Sequence, residues 1–338
     1  MSFWLSYPIS NIFKTLFNRS PFCSLIYSEK EFDIPHNLEC RILDRKVRGK
    51  LLNQDLSDLQ TFLSDFFGLS ENETPTPKLI IPIDKLLTDK DTIILLLQSD
   101  KIVASIRYKY LGNFLYNNEE IYCEDCFCVH PGWRNKGLGR YLLNKLHNYV
   151  NTNKKPYSMF LKEGRLVQTI NKPIYSGVYV FRSLRRKSES LSGVWQGSEN
   201  VKSLCPENGF RTLDIFREFN NRLFLIVNKY NTENQYWKLY TFKDHRILAC
   251  FQDTYQRYNN NKIGWCTGWI ETPNLPSEIR EKGALELSES ISNIFDMVWM
   301  NSEWTGNNPI WKMDGAFHWY SYQWTSSINI KKSYIITV

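Results

Sequence analysis

Three groups of residues in the 338-residue chain have the types and spacing that chemistry uses. The first is Arg134-x-x-Gly137-x-Gly139, with Lys136 inside it and Arg140 directly after. Behind it Leu138, Tyr141, Leu142, Leu146, Tyr149 and Val150 recur at helical spacing. A helix that begins here leaves its first backbone N–H groups unpaired at the positive end of the dipole, equivalent to about half a charge. Glycines lack a Cβ, so a pyrophosphate can approach that backbone closely, and the three cationic side chains add charge. The second group is the adjacent pair Glu124-Asp125, two carboxylates that begin an apolar, strand-like run. The third is Cys123-x-x-Cys126-x-Cys128. No second Cys-x-x-Cys pair and no His pair at ligand spacing follows, so these thiols read as buried strand residues and no metal is expected. Among the five histidines none stands in a nucleophile motif, and His130 is expected to shape the mouth of the loop.

Such a loop has to be held by a strand before it and a helix after it. The run through Phe127-Cys128-Val129 is apolar and aromatic and reads as a buried strand, ended by Pro131-Gly132. A Walker-A loop is excluded because no Gly-Lys-Ser/Thr follows, and a Rossmann fingerprint because the third glycine is missing. Upstream, Leu51 to Phe67 has one apolar helical face and Gly68 ends it. Thr92–Gln98 and Ile102–Tyr110 are strands joined by the turn Ser99-Asp100, with Val103, Ser105, Arg107 and Lys109 on the alternate face. Tyr157–Leu161 is the next strand. Residues 185–209, rich in Ser, Arg, Lys, Glu and Gly, read as a linker or surface loop. Beyond it comes an apolar stretch over 223–227, then strands are expected near 236–242, 247–258 and 263–270, a helix over Leu285–Trp299, and strands over 317–324 and 328–338. Hairpin, strand, helix and strand thus recur, without a second Arg-x-x-Gly-x-Gly.

Hydrophobic residues make up 42% and charged residues 23%, which is globular composition with ample core material for two domains. A net charge of +7 suits a polyanionic ligand without requiring nucleic acid, and no nucleic-acid partner is expected. No apolar run is long enough for a transmembrane helix, no secretory signal is evident, and eight cysteines then read as reduced thiols of a cytoplasmic, intracellular protein. The Asn-, Lys- and Ile-heavy composition fits an AT-rich genome, such as that of a protist or large DNA virus; in the latter case the compartment is the host cytoplasm.

The loop resembles the coenzyme A loop of the GNAT superfamily of N-acyltransferases, Arg/Gln-x-x-Gly-x-Gly/Ala after the fourth strand with a hydrophobic residue five positions before the Arg, here Val129. Within that superfamily the whole-chain layout resembles the N-myristoyltransferases, which carry two GNAT-like halves. Phe3-Trp4 with Pro8, Phe127-Cys128-Val129-His130, Lys172-Pro173 with Tyr179 and Arg182-Ser183-Leu184, and Asp314-Gly315 with Trp319-Tyr320-x-Tyr322-x-Trp324 carry the likeness in order. The glycines of the loop depart from that branch toward the general GNAT form. Its acidic loop is reduced to Ser70-Glu71-Asn72-Glu73, and its Thr-Ala-Gly segment reads Lys162-Glu163-Gly164.

The resemblance implies a mixed α/β fold of two tandem GNAT-like domains, each a twisted mixed sheet flanked by helices, related by a pseudo-twofold. Residues 1–184 would bind acyl-CoA, and 210–338 would be a degenerate second copy that takes the acceptor. It implies acyl transfer from a CoA thioester, myristoyl-CoA or alternatively acetyl-CoA, to an amine such as a peptide N-terminus, by a monomer; a binding protein that has lost turnover is a further alternative. Phe3 and Trp4 would lie along the CoA, with Phe127, Cys128, Val129 and the stretch Arg134, Asn135, Lys136, Gly137, Leu138, Gly139 and Arg140. The backbone amides of Cys126 and Phe127 would face the thioester oxygen. The base would be the Val338 carboxylate, as in the myristoyltransferases, or Glu124 or Asp125, as in GNAT enzymes at large. Tyr175 and Tyr179 are further candidate contacts.

Overall fold

The computed structural model describes residues 22–24, 37–44, 50–68, 77–114, 118–153, 157–166, 173–184, 198–218, 224–230, 232–322, 324–326 and 334–336. In the first half, β1 (Phe22–Ser24) and β2 (Glu39–Leu43) precede helix α1 (Lys50–Phe66). Leu56, Leu59, Phe62 and Leu63 form the buried face of α1, and Gly68, with a φ of 74°, ends the turn that follows it. After β3 (Lys78–Leu79) and the single turn α2 (Ile83–Leu86) come the hairpin strands β4 (Thr92–Gln98) and β5 (Lys101–Phe114), then β6 (Glu120–Val129), α3 (Leu138–Thr152), β7 (Ser158–Glu163) and β8 (Tyr175–Ser183).

The second half repeats this order. It comprises β9 (Val201–Leu204), α4 (Pro206–Glu218), β10 (Phe224–Val227), hairpin strands β11 (Tyr236–Phe242) and β12 (His245–Tyr258), β13 (Asn261–Glu271), α5 (Ser277–Glu289), β14 (Met297–Asn301), the short α6 (Ser302–Thr305), β15 (Lys312–Tyr322), β16 (Trp324–Ser326) and β17 (Tyr334–Ile336). The described part of 185–209 thus contributes β9 and the first turn of α4. The helix expected over Leu285–Trp299 divides: α5 ends at Glu289 and Met297–Asn301 is a strand. The apolar run Val298-Trp299-Met300 satisfies helical and strand patterns alike, and pairing on both edges, with β13 and β8, decides for the strand.

Two parallel strand–helix–strand units emerge, β6–α3–β7 and β13–α5–β14. They belong to one large mixed sheet in the order β14-β8-β15-β7-β6-β5-β10-β17-β13-β12-β11-β9, and β14 also pairs β13, closing a circuit of strands. Strands from the two halves interleave in that circuit, since β15 runs antiparallel to both β7 and β8 and β10 pairs the end of β5.

Helices cover both faces of the first-half sheet. α1 packs with Ile93, Leu95, Leu97, Cys126 and Cys128, and α3 with Ile94, Leu96, Ile106, Tyr108 and Tyr122. For this reason Val103, Ser105 and Arg107, on the alternate face of β5, are buried as well. Among the described residues no helix is long and apolar enough to cross a membrane.

Candidate functional site

The loop is built from the end of β6. His130 is positioned by an edge-on contact with Phe66 of α1, ring centroids 4.5 Å apart. Its Nδ1 accepts a hydrogen bond from the Gly132 amide at 3.1 Å, and one 3₁₀ turn, Pro131–Trp133, follows. His130 therefore shapes the mouth of the loop, as its place in the sequence indicates. Arg134 Nε donates back to the Val129 carbonyl at 3.3 Å, while Lys136 Nζ lies over the Trp133 ring at 4.7 Å. The chain turns through two left-handed residues, Asn135 (φ 61°) and Gly137 (φ 83°), before α3 begins at Leu138. The first turn of α3 holds no acidic residue, so nothing opposes the positive end of its dipole. A recess of about 280 Å³ lies here, lined by Phe127, Val129, Trp133, Arg134, Asn135, Gly137, Leu138 and Gly139. A Cβ on Gly139 would come within 3.0 Å of the Phe127 ring, and glycine leaves that approach open. Charge, dipole and an open backbone fit an anionic group such as a pyrophosphate. Cys128 faces the other way, into the α1 core, and burial pushes its thiol up to about 12.

Phe127 is the hinge of the arrangement. Its ring is 40% exposed and lines both this recess and a larger cavity of about 430 Å³. The second cavity exists because β6 and β7 diverge. Their parallel pairing joins Tyr122 to Ser158 and Cys123 to Met159, and the residues beyond, Glu124–Phe127 on one side and Leu161–Glu163 on the other, line the opening. The strand circuit supplies the remaining walls, with Lys109, Tyr179, Trp265, Trp299 and Trp319, while β12 contributes Gln252 to Gln256.

At the point of divergence β6 carries a bulge. Ser105 pairs with Cys128 and Arg107 with Asp125, so Cys126 and Phe127 together oppose the single residue Ile106, and Cys126 has a φ of 50°. A bulge leaves a residue out of the ladder and re-aims its neighbours.

The two adjacent carboxylates have opposite environments. Asp125 is held by the Arg107 guanidinium in a two-point contact, Nε to Oδ1 at 2.6 Å and Nη2 to Oδ2 at 2.5 Å. Glu124 has both carboxylate oxygens enclosed without a hydrogen-bond partner at bonding distance. Burial pushes its carboxyl up to about 8, partly offset by the Ser158 hydroxyl. The two candidate tyrosines divide in the same way. Tyr175 accepts a hydrogen bond from Asn301, whereas the Tyr179 hydroxyl has no partner and Tyr179 lines the cavity, its ring stacked on Phe317 at 3.8 Å. Gln252 Nε2 and Trp319 Nε1 are likewise unpartnered, in residues that line the same cavity.

Other residues from the sequence reading lie elsewhere. Arg182 is buried among Glu289, Ser288 and the Trp311 ring and ties α5 to β8. Arg140 is exposed at the start of α3. Phe3, Trp4, Lys172 and Val338 lie outside the described residues, as do 70–73. Arg107, Lys109, Gln252 and Trp265 were not legible as site residues. The one available signal was an Arg in an apolar strand two residues from a Lys, and only the β5–β6 register places it opposite Asp125.

A strand, a bulge, a glycine-bearing loop and a helix, opening onto a divergent parallel strand, give the chain a fold of the GNAT type. Residues 56–164 match the family model described as Acetyltransferase (GNAT) family. Over its whole length the chain has a fold similar to that of N-myristoyltransferase. One Saccharomyces cerevisiae N-myristoyltransferase structure with bound myristoyl-CoA and inhibitors aligns with a TM-score of 0.61 at 12% identity, over 100% of this chain and 95% of that one. Another, with bound myristoyl-CoA, aligns at 0.61 and 13% over 96% and 88%. A GCN5-related N-acetyltransferase from Kribbella flavida aligns at 0.41 and 14% over 85% and 71%. No curated protein matches by sequence.

Proposed function

We propose that the protein transfers an acyl group from a CoA thioester to an amine. The observation that carries this reading is that Phe127 lines both the loop recess and the β6–β7 cavity, with the bulge beside it. The amides between Asn135 and Arg140, together with Arg134 and Lys136, hold the CoA pyrophosphate. The pantetheine then passes Phe127 into the divergence of the two strands. There the amides of Cys126 and Phe127 donate to the thioester oxygen as negative charge develops on it, and one such donor is typically worth about 2.7–4 kcal/mol of barrier. Glu124 takes the proton of the attacking amine, the new C–N bond forms as the C–S bond breaks, and CoA leaves as the thiolate. Asp125, paired to Arg107, is the weaker candidate for that proton. The acceptor amine occupies the cavity walled by Tyr179, Trp265, Trp299 and Trp319.

Within this class the full-length likeness to N-myristoyltransferase supports a long-chain donor and a peptide N-terminus as acceptor. The Arg134-x-x-Gly137-x-Gly139 loop supports the second reading, acetyl transfer from acetyl-CoA. Native mass spectrometry of the protein with acetyl-CoA and myristoyl-CoA in competition separates them. Retention of myristoyl-CoA favours the first, to be followed with glycine-initiated peptides, and retention of acetyl-CoA favours the second. Binding without turnover on any amine would point to a scaffold that has lost catalysis, and retention of neither ester would overturn the proposal.

A further inference from the structure

The β6 bulge places a non-glycine residue, Cys126, at a φ of 50°, in the left-handed region that a side-chain-bearing residue occupies at a cost. Two side chains of the neighbouring strand hold it there. Ser105, wholly buried, donates its hydroxyl to the Cys126 carbonyl at 2.9 Å; the carbonyl is acceptor-only, so the direction of that bond is fixed. Arg107, 3% exposed, grips Asp125 on the other side of the bulge and anchors itself through Nη1 to the Lys85 and Leu86 carbonyls, both at 3.1 Å. The two residues stand either side of Ile106, the residue that faces the extra one on β6. A main-chain carbonyl that a regular ladder would pair with a neighbouring amide is thus pinned by a hydroxyl, and the preceding residue is pinned by a guanidinium whose three nitrogens are all hydrogen-bonded.

We infer that Ser105 and Arg107 are positioning residues that clamp the bulge and so aim the Cys126 and Phe127 amides into the β6–β7 cavity. The inference rests on the reading of those amides as donors to a thioester carbonyl. In this role each acts through the backbone it holds; Arg107 also lines the cavity, whereas Ser105 does not. An exposed bulge with the same register but no buried clamp would sample both the ladder and the open geometry. Donors aimed in advance avoid that reorganisation during reaction, which is the condition under which such amides are effective.

The test reads the aim of the donors directly and needs no acceptor. Acetyl-CoA and myristoyl-CoA labelled with ¹³C at the thioester carbonyl are bound to the full chain, and the carbonyl stretch is obtained by isotope-edited infrared difference spectroscopy. Affinity is measured separately by calorimetry. In the wild type the bound carbonyl is expected at lower frequency than free ester. Ser105→Ala should bind with unchanged affinity while roughly half of that downshift is lost, as when one of two donors is misplaced. Ser105→Thr, which keeps the hydroxyl, should restore it. Arg107→Lys keeps the charge but loses the two-point grip and should reduce the downshift in the same way. Its thermal melt is recorded alongside, and the Ser105 variants decide the matter if Arg107→Lys fails to fold. An undiminished downshift in Ser105→Ala overturns the clamp. Binding with no downshift in the wild type overturns the role of the bulge while leaving CoA binding intact. No binding of either ester overturns the proposed function, and the clamp with it.

Discussion

Replacing Glu124 by Gln should make the protein more stable and less active, and the two effects should share one pH axis. The carboxylate oxygens of Glu124 are enclosed with no partner at bonding distance, and burial, only partly offset by the Ser158 hydroxyl, raises the carboxyl from its ordinary 4.5 to about 8. In the unfolded chain the group ionises near its ordinary value, so between about pH 4.5 and 8 folding has to carry a proton into the interior. Its cost to stability is absent below the lower value, grows by about 1.4 kcal/mol per pH unit between the two, and is constant above the upper one. Over this interval that is roughly 4–5 kcal/mol, an upper figure because relaxation and water penetration reduce it. Urea titrations of wild type and Glu124→Gln from pH 5 to 9 should therefore diverge, with the variant gaining as pH rises. On the activity side, release of CoA thiol with a responsive amine should rise with pH in the wild type and bend near pH 8. In the variant the bend should vanish and the rate fall by roughly 10²–10⁴. Parallel stability curves would refute the claim that this carboxyl is buried and uncompensated. A variant that keeps both rate and bend would refute Glu124 as the base and return attention to the Val338 carboxylate.

The remaining expectations concern the loop and the frame. Gly137→Ala puts a Cβ on a residue at φ 83°, with open space around it, so the loss is backbone strain of roughly 1–2 kcal/mol; calorimetry with CoA should show weaker binding and thermal melting only a small decrease. Arg134→Ala should weaken CoA binding about tenfold and flatten its salt dependence, since a charge-assisted contact is lost. Tyr179→Phe removes an enclosed hydroxyl that has no partner, so the unfolding free energy from denaturant titration should hold or rise, by up to about 1 kcal/mol; a drop in turnover at unchanged stability would show that the hydroxyl meets the substrate. Gly112→Ala drives a Cβ to 2.5 Å from the Val227 carbonyl at the β5–β10 junction between the halves, and unfolding experiments should show a loss of roughly 3 kcal/mol.

Much of this protein was legible along the chain, because its most specific signals are local. The loop announces itself through glycines and cations at fixed spacing next to a helical apolar stripe, and both flanking elements lie where that pattern requires. Thr92–Gln98 and Tyr236–Phe242 have the bounds their apolar runs indicate, since strands bounded by turn residues carry their own limits. The strand Met297–Asn301 was not legible, because a short apolar run fits two periods and its partners, β8 and β13, are distant in sequence.

The site divides along the same line. That Glu124 and Asp125 are adjacent carboxylates at the start of an apolar run is a property of the sequence alone, whereas their place in the middle of β6 is set by the fold. That one is neutralised by Arg107 while the other is enclosed and unpaired depends on the register of β6 against β5 and on the packing of two helices over opposite faces. The Arg134–Arg140 loop needs only a few consecutive residues and so is visible as a motif. The cavity beside it takes residues from seven strands of a closed circuit that interleaves both halves, and no local pattern records which aromatic of β13, β14 or β15 will face which carboxylate of β6. Solvation and long-range pairing decide that, and they exist only once the chain has folded.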